Sequence, residues 1–107
     1  MIAYVYWRMG LANLLRGNTD EAVRWYQKAL PIFYSPPDAY RHLAAALSLK
    51  GDKVAAQAAL VEAIKLEPRN ATIAWARNRR LSTNPKFVEL DERTEIEGLR
   101  RLGLREE

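Results

Sequence analysis

The sequence predicts an all-α fold, an antiparallel helix-pair solenoid, on three observations. The chain matches itself at a shift of 34 residues. Within each unit, apolar residues recur at helical spacing. Glycine and proline, five of each, fall at intervals and punctuate short elements.

The shift pairs Tyr6 with Tyr40, Met9 with Leu43, Gly10 with Ala44 and Gly17 with Gly51. It also pairs Ala22 with Ala56, Tyr26 with Leu60, Ala29 with Ala63 and Leu30 with Ile64. Each pair keeps its size class, and one glycine is identical at a turn. The small residue at Gly10 or Ala44 lets a second helix come close. Small alanines alternating with large residues allow two antiparallel helices to interdigitate.

Six helices are expected, in order, near 3–16, 19–33, 37–50, 53–66, 71–82 and 90–103. Gly17 and Gly51 end the first helix of each unit in the left-handed conformation. Asn18 or Thr19, and Asp52, then cap the helices that follow. Asp20 and Glu21 place negative charge near a helix start. Pro36, Pro37 and Pro68 mark the exits of the second helices, and Pro31 predicts loosening over 28–34. The expected organisation is a single domain over 1–107. Repeat one spans 3–36 and repeat two spans 37–70; a degenerate third unit over 71–82 is followed by a linker and capping helix over 83–107. In the third unit Ile73, Ala74 and Leu81 are expected to face the second, with Arg77, Arg79 and Arg80 left in water.

Composition narrows the function classes. At 107 residues, half of them apolar, the chain can bury one modest core. It has no cysteine, which removes disulfides and thiolate metal sites. No apolar run approaches the roughly 18 residues of a membrane span. Met1–Gly10 carries Arg8 and lacks the features of a signal peptide, so a cytoplasmic location is expected. The net charge of +4 divides evenly, with +2 on 1–68 and +2 on 69–107, so no basic arm stands out.

Residues that could do chemistry do not converge. His42 is the single histidine, read as a surface residue beside the packed seam. Asp20–Glu21 and Asp91–Glu92 are adjacent carboxylates, which point about 100° apart on a helix and read as helix-start charge. Ser35, Ser48 and Ser82 lack a base, and no glycine-rich phosphate loop exists. A non-catalytic chain without metal or cofactor is the expectation. The alternative is a nucleic-acid-contacting surface built from Arg77, Arg79, Arg80, Arg100 and Arg101 beside Trp75 and Phe87.

The paired positions resemble the tetratricopeptide signature: a large residue, a Leu-Gly-like step, a glycine turn, then Ala, aromatic, Ala and Pro. The likeness covers about 1–68, with Asn13 where a tyrosine is usual and Tyr34 where a proline is usual. Beyond it, Glu97-Gly98-Leu99-Arg100-Arg101-Leu102-Gly103-Leu104 resembles the ending of a group of bacterial proteins. In these, a class III adenylate/guanylate cyclase domain or a winged-helix domain precedes tetratricopeptide repeats. Leu102 replaces their usual alanine and Arg105 their usual proline. The resemblance implies a C-terminal regulatory segment of a larger bacterial signalling protein, acting through protein–protein contacts. No cyclase aspartates or DNA-reading helix fit within this length.

Two surfaces follow. The concave wall of such a stack is lined by first helices, which places Trp7, Arg8 and Leu11, then Arg41, Ala45 and Ser48, then Trp75 and Arg79 toward a protein partner. Leu11 and Ala45 stand where a peptide-carboxylate clamp would need polar residues, so that function does not carry over. The first helix is apolar nearly all round, which predicts homodimeric self-association, or packing on preceding repeats, through Tyr4, Trp7, Leu11 and Leu14.

Overall fold

The structure is a computed structural model that describes residues 2–31 and 38–107. The expectations at Tyr34, Ser35, Pro36 and Pro37 lie outside the described residues. Four helices form two antiparallel pairs: α1 (Ile2–Leu15) with α2 (Thr19–Ala29), and α3 (Ala39–Lys50) with α4 (Lys53–Leu66). A 3-10 turn (Pro68–Ala71) leads into the short α5 (Ile73–Asn78). The chain then forms α6 (Pro85–Asp91), a π-helical turn (Glu92–Ile96) and α7 (Glu97–Arg101), which run on as one C-terminal helix.

The two glycine turns have the same cause. Gly17 has φ 81° and Gly51 φ 97°, and neither space nor neighbours would stop a side chain there; the backbone angle is what requires glycine. Each closes a Schellman pair: Asn18 N–H reaches Asn13 O at 2.9 Å, and Asp52 N–H reaches Leu47 O at 3.0 Å. Asp52 then caps α4 by accepting from Ala55 N–H, as expected. Asn18 occupies the corresponding position before α2, but its side chain makes no capping bond.

The core runs along the seam between the pairs. Leu14, Ala22, Tyr26, Ala39, Leu43, Ala44, Leu47 and Leu60 are all buried in one cluster. A Cβ on Gly10 would lie 2.6 Å from Cε1 of Tyr26, so the glycine is where the ring seats against α1.

The C-terminal third departs from expectation. The third-unit helix is α5 alone, six residues instead of twelve, and it buries Ile73 and Ala76 while Ala74 and Leu81 are exposed. Its start is capped by Thr72, which accepts from Trp75 N–H, and by the chain's own end: Ile73 N–H bonds Arg105 O and Ala74 N–H bonds Glu106 O, each at 2.8 Å. The C-terminal helix begins at Pro85, not 90, because Asn84 caps it and Pro85 takes the first helical position. It packs on α3 and also touches α1.

Candidate functional site

The face of α3 expected to form an open groove is covered by the chain's own C-terminal helix. Gly98 makes the closest approach. A Cβ there would lie 2.5 Å from the carbonyl oxygen of Ala45 and 3.0 Å from its Cα, so only glycine fits. Ser48 Oγ donates to Gly98 O at 2.7 Å, and Gln57 Nε2 donates to Leu102 O at 3.3 Å. Both acceptors belong to the last turn of the helix, where carbonyls lack partners within the helix. Ile96 and Leu99 supply the apolar contact, buried with Ala45, Ile73 and Ala76.

Beside this seat lies a buried polar network. The side chain of Arg41 is 1% exposed. Its Nη1 donates to Asp38 Oδ1 at 2.8 Å and to Asn70 Oδ1 at 3.0 Å. Its Nε donates to Glu95 Oε2 at 2.8 Å, across the seam. Asn70 is itself fixed through Nδ2 on Ala63 O. Trp7 Nε1 donates to His42 Nδ1 at 2.9 Å. His42 Nε2 lies 3.2 Å from Glu95 Oε2 and 3.2 Å from Arg41 Nη2.

Charge settles on these groups accordingly. Burial opposes ionisation of Glu95, but His42 and Arg41 outweigh it and hold its pKa well below the carboxylate range. Burial likewise acts against Asp38, and Arg41 with Arg79 overcomes it, so Asp38 also stays low. Asp91 goes the other way. Burial, then the charge and hydrogen bond of Glu95, push it up to about 8, even though Arg80 Nε is 2.7 Å away. The two carboxyls therefore share one proton, held on Asp91 and donated to Glu95.

Several sequence expectations are corrected here. His42 is 4% exposed rather than a surface residue, because its acidic partner, Glu95, lies far along the chain. Arg41, Ala45 and Ser48 are buried against the chain's own helix and line no open wall. Asp91 is not helix-start charge: with the helix starting at Pro85, it falls on the buried face. Arg80 is not left in water, since it pairs with Asp91 and Glu92. Arg77 pairs with Glu92 at 2.9 Å. Trp7, Leu11 and Leu14 are buried, and of the expected self-association residues only Tyr4 is exposed.

The remaining expected residues lie apart. Arg79 reaches Asp38 Oδ2 at 3.1 Å, next to Arg41. Trp75 sits instead in a shallow depression of about 480 Å³ with Pro68 and Arg105, its ring covered by the Arg69 guanidinium at 4.0 Å. Arg8 bonds Tyr4 Oη and lines a separate groove of about 370 Å³ with Leu15, Leu81 and Phe87. Among the described residues, no set of His, Cys, Asp and Glu is arranged to hold a metal ion. None of their helices is long and apolar enough to cross a membrane.

Sequence reasoning missed Asp38, Asn70, Asp91, Glu95 and Gly98. A signal for Asp91 and Glu95 existed. At helical spacing Asp91, Glu95, Leu99 and Leu102 share one face, so two carboxylates sit on an apolar stripe.

The helix pair α1–α2 is closed by a glycine turn and packed along an alanine–tyrosine seam. Residues 3–32 match the family model of the tetratricopeptide repeat. No curated protein and no solved structure matches the chain. Tetratricopeptide repeats generally mediate protein–protein interaction, and the fold here is the corresponding all-α helix-pair solenoid.

One tetratricopeptide-like face remains open. Ile2, Tyr4, Val5 and Met9 on α1 are 41–52% exposed. The 34-residue shift carries Val5, Met9 and Ala12 onto Ala39, Leu43 and Ala46 of α3. Those three are buried at 0%, 7% and 0% in the cluster α3 shares with α2.

Proposed function

We propose that this chain is a non-catalytic protein-interaction module, the C-terminal regulatory segment of a larger bacterial signalling protein. Its docking face is the outer side of α1. The partner there is the second helix of a preceding repeat in the same stack. The observation that carries this reading is the repeat equivalence. Val5, Met9 and Ala12 occupy the positions that α3 fills with Ala39, Leu43 and Ala46, and in α3 those positions lie in the core shared with α2. A stripe built on the same period is shaped for a helix of the α2 kind.

The arginines support the protein reading over nucleic acid. Arg77, Arg79, Arg80, Arg100 and Arg101 each have a carboxylate within the chain. Charge already neutralised in place adds little to phosphate binding.

Met9 makes the test direct. Oxidative footprinting compares this chain with the uninterrupted native reading frame, upstream residues included. Met9, 41% exposed here, is expected to be protected several-fold in the longer protein. Equal oxidation in the two would overturn the reading.

A further inference from the structure

The seam between α3 and the C-terminal helix has one half made wholly by the body of the chain. Asp38 and Asn70 hold the Arg41 guanidinium by Nη1, and both belong to the body of the chain. Nε of Arg41 is left for a carboxylate from outside, and here Glu95 takes it. Ser48 and Gln57 donate to carbonyls of the helix's final turn. Ala45 accepts the approach of a backbone that has no side chain at that point. Together these groups read three features of an incoming helix: a carboxylate, a glycine three residues on, and the free carbonyls of a C-terminal end.

The C-terminal helix buries Asp91, Thr94 and Glu95 beside Ile96, Leu99 and Leu102, and a buried ion pair contributes less net stability than apolar packing of equal volume. A π-helical turn interrupts it where Glu92–Ile96 must bring Glu95 to Arg41. The link to α5 includes Ser82, Thr83 and Asn84, which lie outside any helix.

We propose that the C-terminal helix is a resident ligand in a helix-receiving groove. The partner that takes this groove in trans is an amphipathic helix ending in the same pattern, with groups equivalent to Glu95, Gly98 and Leu99. This rests on the protein-interaction reading above but uses a different face. It adds the chemistry of the partner.

A labelled synthetic peptide of residues 85–107 is the probe, titrated into the full chain and followed by fluorescence anisotropy. Gly98→Leu in the chain drives a side chain into the Ala45 backbone and vacates the groove. The peptide is expected to bind this variant at least about tenfold tighter than the wild-type chain, whose own helix competes at millimolar effective concentration. A peptide carrying Gly98→Leu is expected to bind neither. No binding of the native peptide to a variant that stays helical and melts cooperatively overturns the proposal. So does equal binding of the two peptides. If the variant fails to fold, hydrogen exchange on the wild-type chain decides. Exchange of 85–101 as one block, at a lower opening free energy than α3, supports a separable occupant; exchange only with global unfolding refutes it. Met9→Lys is expected to leave peptide binding unchanged, so failure here and failure at the α1 face are read separately.

Discussion

Glu95 is the residue on which the concave side depends. Arg41 and His42 both converge on its Oε2, from α3. Replacing it with alanine leaves a buried guanidinium short of its counter-ion, a change that costs about 3–5 kcal/mol. Urea unfolding of Glu95→Ala measures this. The pH dependence follows from the shared proton. Folded, Asp91 keeps its proton up to about 8, against an ordinary 3.8. Between those values the folded chain binds more protons than the unfolded one, so this group's contribution falls as pH rises. Glu95 is depressed, so its contribution is present above its ordinary 4.5 and is lost as pH falls below it. In Asp91→Asn the amide donates to Glu95 and accepts from Arg80 without titrating. The wild-type urea midpoint is expected to fall from about pH 5 to about pH 9, and that of Asp91→Asn to stay level. Parallel profiles would contradict the shared proton.

Among the elements, the helix pairs and the existence of a C-terminal helix were legible in the sequence; its start at Pro85 and its docking on α3 were not. Gly17, Gly51 and Asp52 carry local signals, because a positive φ or a cap constrains one residue type at one place. The seats of His42 and Arg41 depend on Glu95, more than fifty residues away, and no local pattern announces that pairing. A helix was expected near 71–82, but not the way α5 starts: its first N–H groups bond the backbone of Arg105 and Glu106, a contact that side-chain patterns do not encode. The sequence did single out Arg41, Ala45 and Ser48 together, and the structure does bring these three together. Their neighbour is the chain's own helix. Gly98 tests the closeness of that docking. Gly98→Ala places a Cβ against the Ala45 backbone, which has no freedom to yield, and is expected to cost about 1–3 kcal/mol. A Tm unchanged from wild type would show that the helix stands further off.

For the whole molecule, the docked helix changes the shape of the solenoid. The radius of gyration is 12.2 Å, below the roughly 13 Å usual at this length. Extents of 31 × 29 × 24 Å are those of a rounded body, not of an open superhelix. With the concave side filled, the apolar stripe of Ile2, Val5 and Met9 is an open surface through which the chain can associate. Sedimentation velocity on the chain by itself is expected to show concentration-dependent dimers, and Met9→Lys to abolish them. A wild-type monomer at all concentrations would count against the stripe as a docking face.

The concave face is held by the chain's own C-terminal helix while α1 faces outward. Proton NMR in solution tests it most directly. Strong nuclear Overhauser contacts are predicted between the methylene of Gly98 and Ala45, where the backbones meet. Their absence, with Ala45 and Ser48 accessible to a paramagnetic solvent probe, would contradict it.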